Sequence, residues 1–579
     1  MDDHFVSESP QNPPNDSASD LTSTPQRLLY VPTMTSVTWE TAMQNCNGTR
    51  PVYNILSYTW GRFSTEGAAL KVDGTTWQIP AIKTSHFSVP EFENVLRSVA
   101  SSSNYVWVDI ACIDQVNQRT KMNEIGKQAD IFRGAHEAFI WLTRLDETVL
   151  REFDTTLTQF EKSLMATKMD RASFLRDHNQ IRDVLKEGIE KVLDAAQALL
   201  SDPWFSSLWA LQEANLREDA FILPRSGLPV AINLGHGRSV PLRLRSIAGS
   251  FQDIMLSLIS VQDLSDDVRS FLSLIERSGL LTIGAETDGM PLHIYPAAHY
   301  RSTQREHDRV YAIMQVYHLR LGTAQFPDQT FTLQDLELQL ATALNATSPI
   351  AAQLFVHRNV PKPGQAWKIT KDCTLPTIYY IAETGLHKRC TIIPHRNQHG
   401  VVFTGRYASL QSLMNFWIAS MHQRERQRTE KGWSQYEKTM FTHYQANIDL
   451  DAGHATEAAG LSFLRLANEP TSVCGCVWCL EHYQAKDICG LSKLASKLPY
   501  PASQYSVLLL GHTTLYQFRD DITQSGLIVS ALLGILGIFE TANSAPAFRR
   551  IGLCSWEAGQ EELREQHETF WHAGNFELL

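Results

Sequence analysis

Three short apolar segments, separated by stretches with a helical pattern, constrain the fold of this chain most. They lie at residues 52–58, 105–110 and 138–142. Between the last two, apolar residues recur at helical spacing over residues 121–135. Continuous apolar strands are typical of sheets covered on both faces, and a strand–helix–strand order favours parallel pairing through a helical crossover. The sequence therefore predicts an α/β domain built around a parallel sheet.

Aromatic and polar residues follow the first strand directly, in the segment Ser-Tyr-Thr-Trp-Gly-Arg at residues 57–62. Open α/β sheets bind ligands just beyond the carboxyl ends of their strands, so this segment is a candidate binding loop. Tyr58 and Trp60 could stack on a ring, and Arg62 could pair with phosphate. Gly61 permits a tight turn and a close approach of the backbone. The alternative is that both aromatic rings fill the core.

The second strand runs into Asp109, Cys112, Asp114 and Gln115. Asp109 and Gln115 are candidates to line the end of this strand. Asp114 could instead cap the helix that follows, which is a structural role. Cys112 lacks an obvious histidine partner to activate it as a nucleophile, which favours an inert buried thiol.

A short aromatic helix carries the best single candidate for catalysis. Asp202 and Pro203 predict its start, as N-cap and first helical residue. Trp209 and Glu213 are four residues apart and therefore share a face. A glutamate beside a ligand cleft could polarise a sugar hydroxyl or stabilise positive charge at an anomeric carbon, as carboxylates do in glycoside cleavage. The alternative is a solvated surface glutamate.

Composition and missing motifs narrow the class of protein. A chain of 579 residues predicts two or three domains, and its net charge of −11 disfavours nucleic-acid binding. Nine cysteines and an acidic start without a secretion signal predict a cytoplasmic protein with reduced thiols. The longest apolar run, residues 527–539, is shorter than the ~20 residues that span a bilayer, so we expect a buried helix or strand. The phosphate-loop, GxGxxG, HExxH and GxSxG motifs are missing, which disfavours the chemistries they mark.

Five potential metal ligands lie close together in the sequence: Cys474, Cys476, Cys479, His482 and Cys489. Cys476, Cys479, His482 and Cys489 could form a Cys3His zinc site. Their spacing fits no standard zinc finger, so reduced thiols around a turn are the alternative.

Several local patterns predict further structure. Residues 1–26 contain almost no aliphatic side chains, which predicts a disordered tail. Asp73-Gly74, flanked by alternating apolar residues, predicts a hairpin. Thr303 and Glu306 predict a helix start with a capping box. The remaining C-terminal sequence indicates mixed α and β structure, with helices within 251–278 and 331–345.

Taken together, the three blocks resemble the fungal heterokaryon-incompatibility (HET) domain. The similar segments are Leu56 to Gly61, Trp107 to Gln115 and Trp204 to Glu213, in that order. The later segment Asp308 to Ala312 resembles one that often follows this domain. The direct match covers roughly residues 50–215. We therefore expect the HET domain at residues 27–225 and a C-terminal region of unknown role at residues 226–579.

The chain departs from the HET pattern at three positions. Ser207 stands where the third block usually has an arginine. Thr120 and Glu124 replace an acidic residue and a glutamine that are expected after the second block. If the missing arginine orders the glutamate or binds phosphate, its replacement by Ser207 would impair or abolish activity.

The resemblance implies both a fold and a function. HET domains are similar to Toll/interleukin-receptor (TIR) domains, which implies a flavodoxin-like parallel sheet, here followed by a mixed α+β, helix-rich C-terminal region. HET proteins cause regulated cell death when unlike fungal cells fuse, and TIR domains can cleave NAD. The implied activity is cleavage of the N-glycosidic bond of NAD without a metal, with Glu213 as the catalytic residue. The implied cofactor site consists of Ser57, Tyr58, Trp60, Gly61, Arg62, Asp109, Gln115 and Trp209.

Two alternatives stay open. The domain could be a non-enzymatic recognition or scaffold module that acts through assembly, or the cysteine cluster could mark a zinc-stabilised partner-binding unit. Because TIR relatives assemble, we expect self-association, with a protein trigger that the sequence does not identify. Neither a nucleic-acid partner nor a membrane span is expected.

Overall fold

The computed structural model describes part of the chain. The described residues are 24–66, 71–167, 178–233, 239–258, 265–283, 286–287, 290–291, 294–374, 376, 384–394, 400–415, 446–452, 463–465, 498, 500–519, 526–542, 545–559 and 571–579. The predicted zinc ligands Cys476, Cys479, His482 and Cys489 lie outside them, as do residues 1–23 of the predicted tail. Residues 24–26, which the predicted tail included, are described, and there the Gln26 amide donates to the Glu124 carboxylate at 2.9 Å.

A six-stranded sheet organises the N-terminal part of the chain. The strands here are β1 (Arg27–Tyr30), β2 (Thr35–Thr38), β3 (Tyr53–Ser57), β4 (Ser64–Thr65), β5 (Ala81–Ile82), β6 (Tyr105–Trp107), β7 (Ala138–Trp141) and β8 (Phe221–Leu223). The spatial order is β2-β1-β6-β3-β7-β8, and β6, β3, β7 and β8 run parallel. The predicted α/β domain with parallel strands is therefore confirmed. β4 and β5 form a separate antiparallel pair.

Helices connect the parallel strands. They are α1 (Trp39–Asn45), α2 (Val89–Val99), α3 (Asp109–Cys112), α4 (Gln118–Ile125), α5 (Gln128–Gly134), α6 (Glu147–Ala166), α7 (His178–Leu200), α8 (Pro203–Ser206) and α9 (Leu208–Leu216). All five residues of β3 are buried, as expected for a strand covered by helices on both faces. Helix α2 begins at a capping box in which Ser88 and Glu91 bond each other's backbone amides.

Two local predictions differ from the structure. The expected helix over 121–135 is two helices, α4 and α5, which separate at Gly126 and Lys127. The hairpin predicted at Asp73-Gly74 is wrong, since Asp73 instead forms a parallel bridge with Thr35. Gly74 has a φ of +79° and lies against the backbone of β2, so its turn conformation serves a long-range contact.

Helices continue through the first part of the C-terminal region. They are α10 (Leu244–Leu258), α11 (Asp266–Ser278), α12 (Ile294–Ala297), α13 (Asp308–Tyr311), α14 (Leu333–Thr347) and α15 (Pro349–Gln353). Short antiparallel pairs lie between and after them: β9 (Ala231–Asn233) with β10 (Ser239–Pro241), β11 (Glu286–Thr287) with β12 (Met290–Pro291), and β13 (Val356–His357) with β14 (Cys373–Thr374). The predicted mixed α and β structure is present in this region.

Strands dominate the described residues after Gln353. A nine-stranded sheet contains β15 (Thr384–Lys388), β16 (Thr391–Pro394), β17 (Val401–Ser409), β18 (Ala446–Leu450), β19 (Phe463–Arg465), β20 (Ser506–Arg519), β21 (Gly526–Ala542), β22 (Ala545–Gly559) and β23 (His572–Leu578). Its side chains alternate between two hydrophobic clusters: Leu508 and Leu510 enter the main core, while Val507 and Leu509 enter the second. The apolar run 527–539 lies in β21, where adjacent strands cover both edges.

None of the helices in the described ranges has the length and apolar character needed to cross a bilayer.

Candidate functional site

The register of the parallel sheet brings two of the predicted segments to the same level. Ile55 of β3 pairs with Trp107 of β6, so Ser57 and Asp109 follow at equivalent positions at the carboxyl ends of neighbouring strands. A cleft of about 520 Å³ opens there. Its walls include Tyr58 to Arg62, Asp109, Gln115, Lys121, Ser207, Trp209, Glu213, Ser302 to Arg305 and Asp308.

Glu213 reaches the end of the first parallel strand. The Ser57 hydroxyl donates to Glu213 Oε2, and Trp204 Nε1 donates to Ser57 Oγ at 2.7 Å. This chain of hydrogen bonds joins α8, β3 and α9, and fixes the carboxyl group at the cleft. The predicted catalytic residue and the predicted strand-end loop are therefore neighbours, although their catalytic roles stay predictions.

The surroundings of Glu213 favour its neutral form. Burial is the main cause that raises the pKa of this carboxyl from 4.5 to about 8, and the charge of nearby Asp109 raises it further. The hydrogen bond from Ser57 acts in the opposite direction, because it stabilises the carboxylate. Glu213 is consequently protonated for the most part at neutral pH when the cleft holds no ligand. A cation bound beside it would favour ionisation.

Asp109 is held by groups from both strand ends. Trp60 Nε1 donates to its Oδ2 at 2.5 Å, and the Ile110 amide donates to its Oδ1 at 2.7 Å. Burial raises the pKa of Asp109, while these hydrogen bonds lower it. Gln115 Nε2 donates to the Asp109 carbonyl at 3.0 Å, and Lys121 Nζ donates to Gln115 Oε1 at 3.0 Å. The predicted residues Trp60, Asp109 and Gln115 thus form one connected wall.

Tyr58 and Arg62 occupy positions with strong structural demands. The Tyr58 ring packs in an aromatic cluster with Phe92 and Trp141, at centroid distances of 5.1 Å and 6.4 Å, and is only 8% exposed. Little of that ring is left for stacking on a ligand. The Arg62 guanidinium donates to the Pro203 carbonyl, to Ser206 Oγ at 2.9 Å and to Ser302 Oγ at 3.1 Å. It therefore ties the loop after β3 to α8.

A histidine fills the neighbouring crevice of the sheet. In a doubly wound sheet, ligands bind at the point where the strand order reverses, since the connections on either side run in opposite directions. Here that point lies between the ends of β3 and β7. His86 occupies that place: its Nε2–H donates to the Thr59 carbonyl at 2.6 Å, and its Nδ1 accepts from Thr143 at 3.2 Å. Burial lowers the pKa of His86 to about 4, so the ring is neutral. The open space lies instead on the β6 side of β3.

A segment far along the chain closes the cleft, and its sequence pattern predicted no functional role for it. The Ser302 amide donates to the Ser206 carbonyl at 2.8 Å, and the Leu208 amide donates to the Ser302 carbonyl at 3.0 Å. Asp308 accepts from Trp209 Nε1 at 3.3 Å and from Thr303 Oγ1 at 3.0 Å. The resemblance of 308–312 to a segment that follows HET domains was the one available signal.

The capping box predicted at Thr303 and Glu306 is wrong. Helix α13 begins at Asp308, and Thr303 donates to that aspartate. Glu306 pairs with Lys371 at 2.5 Å, away from the helix start. The tertiary contact with α9 thus replaces the local capping pattern.

A buried arginine next to the 302–308 segment contacts the backbone of the third block, residues 204–213. In this block Ser207 replaces the usual arginine. Arg301 is 1% exposed and donates to the carbonyls of Ser278 and, at 3.1 Å, of Ser207. Its guanidinium also lies 5.9 Å from the ring of Trp204. The Arg301 guanidinium therefore places a positive charge beside α8 and α9, although the side chain at position 207 is uncharged.

The other two residues that depart from the HET pattern, Thr120 and Glu124, have structural roles. The Thr120 amide donates to Asn117, which caps α4. Glu124 is 1% exposed, and burial raises its pKa to about 7. It accepts from Gln26 and so attaches the N-terminal segment to α4.

Cys112 and Asp114 do not contribute reactive groups to the cleft. Cys112 is buried, and burial raises the pKa of its thiol to about 12, which disfavours a thiolate nucleophile. Asp114 accepts from the amides of Val116 and Asn117, both at 2.9 Å, and so shapes the turn before α4. Among the described residues, no set of three or more His, Cys, Asp or Glu side chains is arranged to hold a metal ion.

The fold and this cleft define an α/β domain with a candidate small-molecule site at the carboxyl ends of parallel strands, lined in part by acidic groups. Residues 53–213 match the model of the heterokaryon incompatibility protein family (HET). The chain therefore contains a HET domain, which supports a role related to heterokaryon incompatibility. No curated protein and no solved structure matches the chain.

Proposed function

We propose that this protein is a heterokaryon-incompatibility effector that promotes regulated cell death in a fungus by cleaving the N-glycosidic bond of NAD. The observation that carries the proposal is the position of Glu213, which contacts Ser57 at the end of β3 and lines the same cleft as Asp109 and Trp60. Glycoside-type cleavage uses carboxyl groups beside the scissile bond, and a half-buried carboxyl group that lines a cleft can take that role.

The strand order supports a distant likeness to TIR domains. Numbered along the chain, the four parallel strands lie in the order second, first, third, fourth. Flavodoxin-like sheets begin with the same order. The antiparallel strands β1 and β2 extend the sheet beyond β6 and are an addition to that pattern.

In the proposed reaction, the bond between the ribose C1′ and the nicotinamide nitrogen breaks, and its electron pair leaves with neutral nicotinamide. Water then adds to C1′ and releases a proton, which gives ADP-ribose. Ionised Glu213 would hold the ribose and stabilise the oxocarbenium-like transition state. The positive nicotinamide ring of the substrate would favour ionisation of Glu213 and so oppose burial and the charge of Asp109, which favour the neutral form.

The test is NAD turnover by the purified full chain. Nicotinamide and ADP-ribose should form in equal amounts, and expression in yeast should lower cellular NAD together with viability. Because we expect self-association, the assay covers a concentration series and includes a form dimerised by a fused tag. Toxicity with unchanged NAD in every form would overturn the enzymatic proposal and favour a scaffold that acts through assembly.

The pH dependence of the reaction provides an independent prediction. If ionised Glu213 is required, kcat/KM for NAD should rise with pH and level off above about 8, because kcat/KM reports the pKa of the free protein. Asp109→Asn should move this rise to lower pH, because the Asp109 charge raises the pKa of Glu213. Ser57→Ala should move it to higher pH, because the hydrogen bond that lowers the pKa is lost. If the dependence of kcat/KM on pH is the same in both variants as in the wild type, Glu213 is not the group whose ionisation the reaction requires.

A further inference from the structure

We propose that Arg305 and Lys121 bind the phosphate groups of the nucleotide, so that the substrate site is completed by a segment outside the HET match. This inference rests on the proposed function and adds a phosphate subsite to it. Arg305 lies 92 positions beyond residue 213, where the family match ends. Both side chains line the same cleft as Glu213.

The cleft is lined by charges of both signs, and Asp308 is a further acidic group on the segment that carries Arg305. Glu213 and Asp109 are acidic, lie at the strand ends and are strongly desolvated by the surrounding protein. Lys121 is half-buried on α4, and Arg305 is exposed on the segment before α13. NAD also carries both signs, because its nicotinamide ring is positive and its diphosphate is negative. A positive ring beside Glu213 would place the diphosphate toward the two cations.

Each cation is positioned by contacts that leave it able to bind an anion. Lys121 Nζ donates to Gln115 Oε1 at 3.0 Å, which directs the ammonium group along the cleft wall while leaving two of its three donors. The backbone of Arg305 is fixed by Thr303, whose hydroxyl bonds the Arg305 amide at 3.4 Å and its carbonyl at 3.3 Å. The Arg305 guanidinium makes no hydrogen bond to any described residue.

The two cations also act on each other. Burial is the main cause that lowers the pKa of Lys121, and the positive charge of Arg305 across the cleft lining lowers it further. The negative charges of Asp109 and Asp308 act in the opposite direction and raise this pKa. A diphosphate between the two cations would replace repulsion with two charge-assisted contacts, and arginine can bind phosphate in a bidentate manner.

The segment that carries Arg305 is fixed to the HET domain rather than free. Ser302 bonds the backbone at both α8 and α9, and Asp308 accepts from Trp209. Arg305 lies between these two attachment points. Its position relative to Lys121 is therefore set by the same contacts that hold the catalytic helix.

Binding of ADP-ribose and of pyrophosphate to the full chain, measured by calorimetry, tests the inference without requiring turnover. Arg305→Ala and Lys121→Ala should each weaken ADP-ribose binding about 10-fold, as expected for loss of a charged hydrogen bond. The matched control is Arg97→Ala, because Arg97 is exposed on α2 and pairs with Glu93 outside the cleft. Its affinity should equal that of the wild type.

Kinetics separate this inference from the proposed function. Arg305→Ala should raise KM for NAD about 10-fold with little change in kcat, and should leave cleavage of nicotinamide riboside, which lacks the diphosphate, unchanged. NAD cleavage with a normal KM in Arg305→Ala would overturn the phosphate subsite and leave the reaction standing. Binding of ADP-ribose that depends on Arg305, without any NAD cleavage, would support the subsite and overturn the reaction. A wild-type chain that binds neither probe would overturn the subsite.

Discussion

Glu213→Gln is expected to reduce NAD cleavage at least about 100-fold, because glutamine keeps the shape of the side chain but cannot carry the negative charge that stabilises an oxocarbenium-like transition state. KM should change little, since the amide can still hydrogen-bond a ribose hydroxyl. The measurement is kcat and KM for NAD at a pH of about 8.5, where most of the wild-type carboxyl is ionised before NAD binds. In yeast the variant should leave cellular NAD at the level of an empty vector.

The control for Glu213→Gln is stability as a function of pH. The folded-state pKa of Glu213 is raised from 4.5 to about 8, so the folded protein binds a proton that the unfolded chain releases between these values. Wild-type stability should therefore fall as pH rises through this window, and Glu213→Gln should reduce that fall, while Glu124, whose pKa is raised to about 7, keeps its own contribution. The variant should melt at or above the wild-type temperature at high pH. Loss of activity together with a lower melting temperature would indicate misfolding instead of a catalytic role.

A matched exposed variant completes this comparison. Glu93→Gln changes a partly exposed carboxyl on α2 that pairs with Arg97. It should retain wild-type turnover and the wild-type pH dependence. Full NAD cleavage by Glu213→Gln would refute the catalytic assignment, while retained toxicity without NAD loss would favour assembly as the mechanism.

Arg550→Ala is expected to destabilise the C-terminal region by roughly 3–5 kcal/mol, the range for breaking a buried ion pair from one side. Arg550 of β22 and Asp451 are both fully buried and pair at 3.1 Å. Arg550 also donates to Gln353 Oε1 at 2.8 Å and to the Phe355 carbonyl, and it stacks 4.0 Å from the Phe355 ring centre. Removing it leaves a buried carboxylate and several acceptors without their donor.

The neighbouring residue provides the control for Arg550→Ala. Arg549 pairs with Glu540 at 2.5 Å, but both side chains are more than one third exposed. Arg549→Ala should therefore change stability by no more than about 1 kcal/mol. Urea unfolding followed by tryptophan fluorescence measures both variants. Equal stabilities of Arg549→Ala and Arg550→Ala would contradict the expected contribution of the buried Arg550–Asp451 pair to the free energy of unfolding.

Local sequence patterns predicted the elements that frame the site. The apolar runs at β3, β6 and β7 were sufficient, because strands covered on both faces must be apolar throughout. The start of α8 was also readable, since Asp202 caps the Trp204 amide and Pro203 occupies the first turn. Both signals depend on neighbouring residues only.

The C-terminal strands show where such patterns stop being informative. Leu508 and Leu510 face one core, while Val507 and Leu509 face another. Because both faces are apolar here, the sequence lacks the alternation of polar and apolar residues that identifies a strand. A continuous apolar run of this kind is compatible with a buried helix as well as a strand. Pairing with β17 and β21 decides between them.

The sequence by itself determined the parallel sheet, the candidate glutamate and the HET assignment, because hydrophobic period, capping residues and ordered blocks are properties of neighbouring positions. Only the tertiary structure decided that Ser57 meets Glu213, 156 positions away, and that Tyr58 packs into the core. It also placed residues 302–308 at the cleft. Such contacts depend on how helices pack across the sheet, and no local period or propensity encodes that packing.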